Sequence, residues 1–186
     1  MKIKKKETIY NGFYTFRKVY LEDKGETIER EQFDSGGAAA ALVYDTEKQR
    51  YILVKQFRYS AEQELLELVA GVLEGNDPEK AVRKEIEEEI GYKVDHLEHI
   101  WDFYSSPGAC TEVVYLFYAE VSQKKAESGG KDEEHEQINI KEFTEEELFY
   151  QPLQDAKTVI AVQWLAARLG KSSANNARIS KTDAAD

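Results

Sequence analysis

Cysteine is almost absent: Cys110 stands alone. One thiol cannot form an internal disulfide, so the chain fits a reducing cytosol, and a cytoplasmic location is expected. No histidine pairs with Cys110 as a thiol nucleophile requires, and it reads as a small buried hydrophobe. No apolar run is long enough to span a bilayer, and the opening MKIKKK is not followed by an apolar signal segment. Basic charge is in deficit: 25 Lys and Arg face 36 Asp and Glu, a formal net charge of −11. Such a chain repels nucleic-acid backbones and anionic membranes, so neither is an expected partner. It also repels a polyphosphate, unless cations travel with it. There is no Asp-x-Asp-x-Asp-Gly loop, which speaks against an acidic calcium-binding protein, and there is no internal repeat. At 186 residues, one domain with a good core is expected.

What stands out is the stretch from Ala70 to Tyr92, AGVLEGNDPEKAVRKEIEEEIGY. Its second half reads as a helix, with Asp77 as N-cap, Pro78 at the first position and Gly91 as the left-handed residue after the end. At about 100° per residue, Val82, Ile86 and Ile90 form one apolar strip. Glu85, Glu88 and Glu89 lie beside it, while Lys80, Lys84 and Glu87 fall on the outer side. Carboxylates at a helix C-terminus are unfavourable by roughly 0.3–1 kcal/mol each. Glu85 and Glu89, one turn apart, add a like-charge penalty of about 0.2–0.5 kcal/mol. Lys84 offsets part of this through Glu88. A solvated acidic face is the plain reading of such a run; a bound divalent cation reverses the sign of the problem, and oxygen-rich clusters suit Mg²⁺ or Mn²⁺.

In chain order, residues 13–21 and 27–33 read as two strands joined at Asp23-Lys24-Gly25, an N-terminal antiparallel β-hairpin. Residues 38–44 and 51–57 are the strongest buried strands, separated by a polar turn over 45–50. The alanines at 38–41 leave room for a helix to cross the sheet. Arg58, at a strand end, is either a surface charge or a phosphate or ribose clamp. Residues 65–69 form a short strand, in which Glu67 either faces a metal site or is paired. Strands follow near 97–104 and 112–121, with a turn at Pro107-Gly108 between them. Residues 122–137 form a long polar loop, either exposed or functional. A strand over 138–143, a capping box opening a short helix at Thr144 and an amphipathic helix over 156–169 complete the pattern. The tail, 171–186, reads as disordered. The expected division is a hairpin over 1–36, a domain over 37–170, and the tail. The element order suggests a mixed α/β sandwich, a sheet between helices.

Lys84-Glu85-Ile86-Glu87-Glu88-Glu89-Ile90-Gly91-Tyr92 resembles the Nudix box, whose core is Arg-Glu-aliphatic-any-Glu-Glu-any-Gly-aliphatic. Ala70-Gly71 stands where the opening glycine of that box belongs. Lys84 replaces the usual Arg, Tyr92 takes the last aliphatic place, and the segment from Gly71 to Glu85 is one residue short and lacks the first Glu of the box. Gln56-Phe57-Arg58, Leu-Glu-Leu-Val-Ala-Gly, the Ser-Pro-Gly loop, the Glu-rich loop before Ile138 and the terminal helix are similar to the nucleoside-diphosphate-sugar branch, the ADP-ribose pyrophosphatases and GDP-mannose hydrolases. The resemblance implies an α/β Nudix fold and Mg²⁺-dependent hydrolysis (Mn²⁺ the alternative) of a pyrophosphate bond in a nucleotide sugar, in a homodimer.

By that resemblance, Glu85, Glu89 and the Ala70 carbonyl hold two or more cations, with Glu88 sharing or orienting. The general base is Glu134 or, as the alternative, Glu136. Arg58 clamps the diphosphate or ribose, Glu112 takes a ribose hydroxyl, and Gly71 and Val72 line the substrate. An aromatic of the partner's hairpin (the equivalent of Phe13, Tyr14 or Phe16) stacks on the nucleobase. A binding or regulatory module without turnover is the competing reading; the intact glutamate trio speaks against it.

Overall fold

A computed structural model describes residues 1–125 and 138–171 of the chain. The N-terminal segment forms a three-stranded antiparallel sheet: β1 (Lys2–Asn11), β2 (Thr15–Asp23) and β3 (Glu26–Asp34), in the order β1-β2-β3. The expected hairpin is β2 and β3. Its turn falls at Lys24-Gly25, both with positive φ (50° and 87°), the geometry that matches the twist of a tight hairpin. The first strand is an addition. Its lysine-rich sequence shows no clean alternation, and pairing with β2 rather than burial holds it in place.

The main sheet carries β4 (Ala38–Asp45), β5 (Arg50–Arg58), β8 (Tyr92–Tyr104), β9 (Val113–Lys124) and β10 (Asn139–Phe143) in the order β10-β5-β4-β9-β8. Two short strands, β6 (Gln63–Glu67) and β7 (Val69–Val72), pair with β5 and β4 respectively. The sheet is mixed, because β4 runs parallel to β9 while its other pairings are antiparallel. Buried Asp45 fixes the β4–β5 turn by accepting hydrogen bonds from Glu47 N and Lys48 N, each at 3.0 Å.

Both faces of the sheet are covered. On one side, Ala39, Ala41 and Val43 pack with Val82, Ile86 and Ile90 of the central helix. On the other, Ala40 and Leu42 pack with α2 (Glu145–Phe149) and α3 (Ala156–Arg168) through Leu148, Ala161, Val162 and Leu165. The alanine run therefore admits a helix on each face, as the expected sheet between helices requires. The predicted capping box is present at Thr144, with Glu147 returning the hydrogen bond.

Asp155 caps α3 by accepting from Thr158 N at 3.0 Å. Fully buried Thr158 turns its hydroxyl to β6–β7, where Oγ1 accepts from Leu68 N at 2.9 Å. This bond fastens the helix to the strand pair that leads into the glutamate-bearing segment. Thr158→Val keeps the shape but leaves the Leu68 N–H without its acceptor. A loss of about 1–3 kcal/mol is expected in urea unfolding, with an unchanged slope; an unaltered midpoint would show that this bond contributes nothing net.

Candidate active site

The glutamate-bearing helix starts as its sequence dictates. Asp77 accepts from Lys80 N at 3.0 Å, and Pro78 opens α1 (Pro78–Glu85). The helix does not continue as a regular α-helix: Ile86–Ile90 form one π turn, closed by Gly91 at φ 76°. Apolar residues spaced by four drift about 40° per step around a helix of 3.6 residues per turn. The wider turn takes back part of that drift, so Val82, Ile86 and Ile90 all reach the core with no exposed surface. Such turns gather at functional sites. Here the turn carries Glu88 and Glu89, both half-buried, while Glu87 points outward with Lys84.

The start of that turn is pressed against β7. A Cβ on Gly71 would overlap the Glu85 carboxylate, so only glycine lets this side chain lie across the strand. Lys84 stands 3.3 Å from Glu74 and 4.0 Å from Glu88, a modest offset to the acidic cluster. Tyr92, in the last box position, is buried, and its hydroxyl donates to Asp45 Oδ2 at 2.9 Å. A tyrosine is accommodated there because its polar tip has a partner.

A partly buried ion network joins β5, β6 and α3. Glu67 is 2% exposed and accepts from Arg58 Nε at 2.6 Å and Arg58 Nη2 at 2.8 Å. Lys157 of α3 reaches the same carboxylate at 2.6 Å and Asp155 at 2.9 Å. Of the two expectations for Glu67, pairing is the one realised. Burial alone would raise its pKa; the hydrogen bond from Arg58 and the charge of Lys157 outweigh that and lower it to about 2.

A family model described as the NUDIX domain matches residues 34–165. The chain belongs to the NUDIX family. It is 34% identical to a GDP-mannose pyrophosphatase of Cronobacter sakazakii over 179 residues, covering 88% of this chain and 94% of that protein. It is 32% identical to a GDP-mannose pyrophosphatase of an Enterobacter species, covering 89% and 94%. The crystal structure of an ADP compounds hydrolase shares the fold, with a TM-score of 0.76 over 91% of this chain and 94% of that one, at 18% identity.

The NUDIX box thus occupies β7, α1 and the π turn. Ala70 and Gly71 are half-buried on β7, and Val72 is exposed beyond them. Arg58 ends β5 and Glu112 precedes β9. Tyr14, in the turn between β1 and β2, has its pKa raised by burial and by a hydrogen bond with Tyr59, with smaller effects from the charges of Arg58 and Glu112. Neither Tyr59 nor Lys157 announces itself in the sequence; the one usable signal for Lys157 is that a buried Glu67 demands a cation. Glu134 and Glu136 lie outside the described residues. No helix among those described is long and apolar enough to cross a membrane.

Nudix hydrolases generally use divalent metals such as Mg²⁺. Among the described residues no three carboxylate, imidazole or thiol groups stand together as a metal cluster. The donor types nevertheless fit a hard cation: Glu85 is cradled over Gly71, and Glu88 and Glu89 each keep Oε2 shielded from solvent. Gly71→Ala is expected to push Glu85 out of its cradle and weaken Mn²⁺ binding by about tenfold or more while circular dichroism stays native. Unchanged affinity would show that the cradle is not needed.

The pKa of Glu67 lies below that of an unfolded glutamate, so its contribution is present above about pH 4.5 and disappears as pH falls towards 2. The shift corresponds to roughly 3 kcal/mol. Acid titration of unfolding free energy should show a larger loss between pH 4.5 and 2 in the parent than in Glu67→Gln; matching slopes would refute it.

Proposed function

We propose that this Nudix hydrolase cleaves the pyrophosphate bond of a nucleoside diphosphate sugar, releasing a nucleoside monophosphate and a sugar phosphate. GDP-mannose is the first substrate to test and ADP-ribose the second. The observation that carries this reading is Glu85 cradled on Gly71, followed by Glu88 and Glu89 with shielded Oε2 atoms on the π turn, in a box whose glutamate trio is complete. The names of relatives at 34% and 32% identity support the substrate class.

Glu85, Glu89 and the Ala70 carbonyl would hold Mg²⁺, with Glu88 orienting. When bound, the cations neutralise the diphosphate and acidify water. The proton of the attacking water passes to Glu134, with Glu136 as the alternative base. Arg58, half-exposed at the end of β5, binds the diphosphate, and Glu112 accepts a ribose hydroxyl. In this reading an aromatic of the partner's hairpin, the equivalent of Phe13, Tyr14 or Phe16, stacks on the nucleobase. The active unit is a homodimer in this reading: Ile3, Ile9, Tyr10 and Phe13 of the N-terminal arm are exposed in the single chain.

A panel of nucleotide sugars with Mg²⁺, scored by the monophosphate released, tests the proposal. Glu89→Gln should lower turnover at least about hundredfold with the fold intact, and Glu134→Gln should lower it without weakening metal binding. Full activity in Glu89→Gln would remove that residue from the mechanism. An effect confined to Glu136→Gln would move the base there.

A further inference from the structure

The Arg58 guanidinium is oriented from beneath. Glu67 offers both carboxylate oxygens to it, Nε at 2.6 Å and Nη2 at 2.8 Å, and this fork-to-fork contact fixes the plane of the group as well as its place. Glu67 belongs to β6, the strand antiparallel to β5, and faces Arg58 from inside the protein. Its Oε2 is shared with Lys157 Nζ at 2.6 Å, and Lys157 is held in turn by Asp155 at 2.9 Å. Asp155 is itself fixed by Thr158, whose hydroxyl donates to Oδ2 at 2.5 Å. An ordered chain of polar contacts therefore runs from the first turn of α3 to the tip of β5.

A lone carboxylate against Arg58 would cancel much of the field that an anionic ligand feels. Lys157 shares Oε2 with Arg58 and takes up part of the negative charge of Glu67, so that carboxylate is divided between two cations. The guanidinium is thus held rigidly without being electrostatically extinguished. Lys55, the other cation at this end of β5, pairs instead with Glu64 on the surface.

We propose that Glu67 and Lys157 are positioning residues that orient the Arg58 guanidinium for the substrate's diphosphate while preserving its attraction for anions. The proposal rests on the pyrophosphatase reading above. It differs from a purely structural role, in which the network only ties β5 and β6 to α3, because it requires the effect of Glu67 on substrate to pass through Arg58.

A double-mutant cycle on the full chain decides between them, using the nucleotide sugar that the parent turns over. Glu67→Gln should raise KM about tenfold with kcat changed by less than about twofold. Arg58→Ala should raise KM at least as far, and the double variant no further than Arg58→Ala alone. Arg58→Lys, which keeps the charge but not the fork, should resemble Arg58→Ala. Should Glu67→Gln fail to fold, Lys157→Met replaces it, with a KM increase of about threefold that vanishes in the Arg58→Ala background. An unchanged KM in a folded variant, or effects that multiply in the double variant, would overturn the positioning role and leave the pyrophosphatase reading standing. If the parent hydrolyses no nucleotide sugar, that reading fails; calorimetry with inorganic pyrophosphate and Mg²⁺ then runs the same cycle. A non-additive loss of affinity would support the positioning role, and an additive one would sink it.

Discussion

The close approach of the central helix to the sheet is the constraint on which the rest depends. Ala39 and Ala41 present almost no bulk, so Val82, Ile86 and Ile90 settle directly onto β4. Gly71 continues that low floor onto β7, where the Glu85 carboxylate lies. With larger side chains at these places the helix would ride higher, and its acidic edge would turn into solvent. The apolar contact supplies the favourable free energy of burial, and the unfavourable crowding of charge at the helix end is tolerated because of it. Position of the carboxylates and stability of the core are therefore set by the same few small residues.

Much of this was legible from local pattern. The strip at 82, 86 and 90, the caps at Asp77 and Gly91, the polar turn at Asp45 and the capping box at Thr144 all rest on neighbours in sequence, and each appears in the structure. The π turn was not legible, because a spacing of four fits both helix types. Strand β1 was hidden by its lysines, whose partners such as Glu22 lie on the next strand. The Arg58–Glu67–Lys157 network joins positions that only the fold brings together: Lys157 is 90 residues from Glu67. Sequence could say that a buried glutamate needs company, but not whose.

The acidic excess is distributed in two physically different ways. Most surface carboxylates sit in solvent or in exposed pairs such as Arg168–Glu98, which are worth little. Glu67 and Asp45 are buried, and each is met by several donors. The box glutamates lie between these limits, half-buried on a helix end whose own dipole disfavours them. Charge of this kind is an asset only where something positive is to be received, and it is the part of the surface where the composition of the chain acquires a chemical meaning.

Strand β3 does more than close the N-terminal sheet. Its Phe33 exchanges backbone hydrogen bonds with the 105–112 loop, accepting from Thr111 N at 3.0 Å and donating to Ala109 O at 2.8 Å, and Asp34 accepts from Thr111 Oγ1 at 2.6 Å. That loop ends at Glu112. The arm is thus tied to this loop by backbone and side-chain hydrogen bonds rather than through the core. Any displacement of the outer sheet is therefore carried into this loop by three hydrogen bonds.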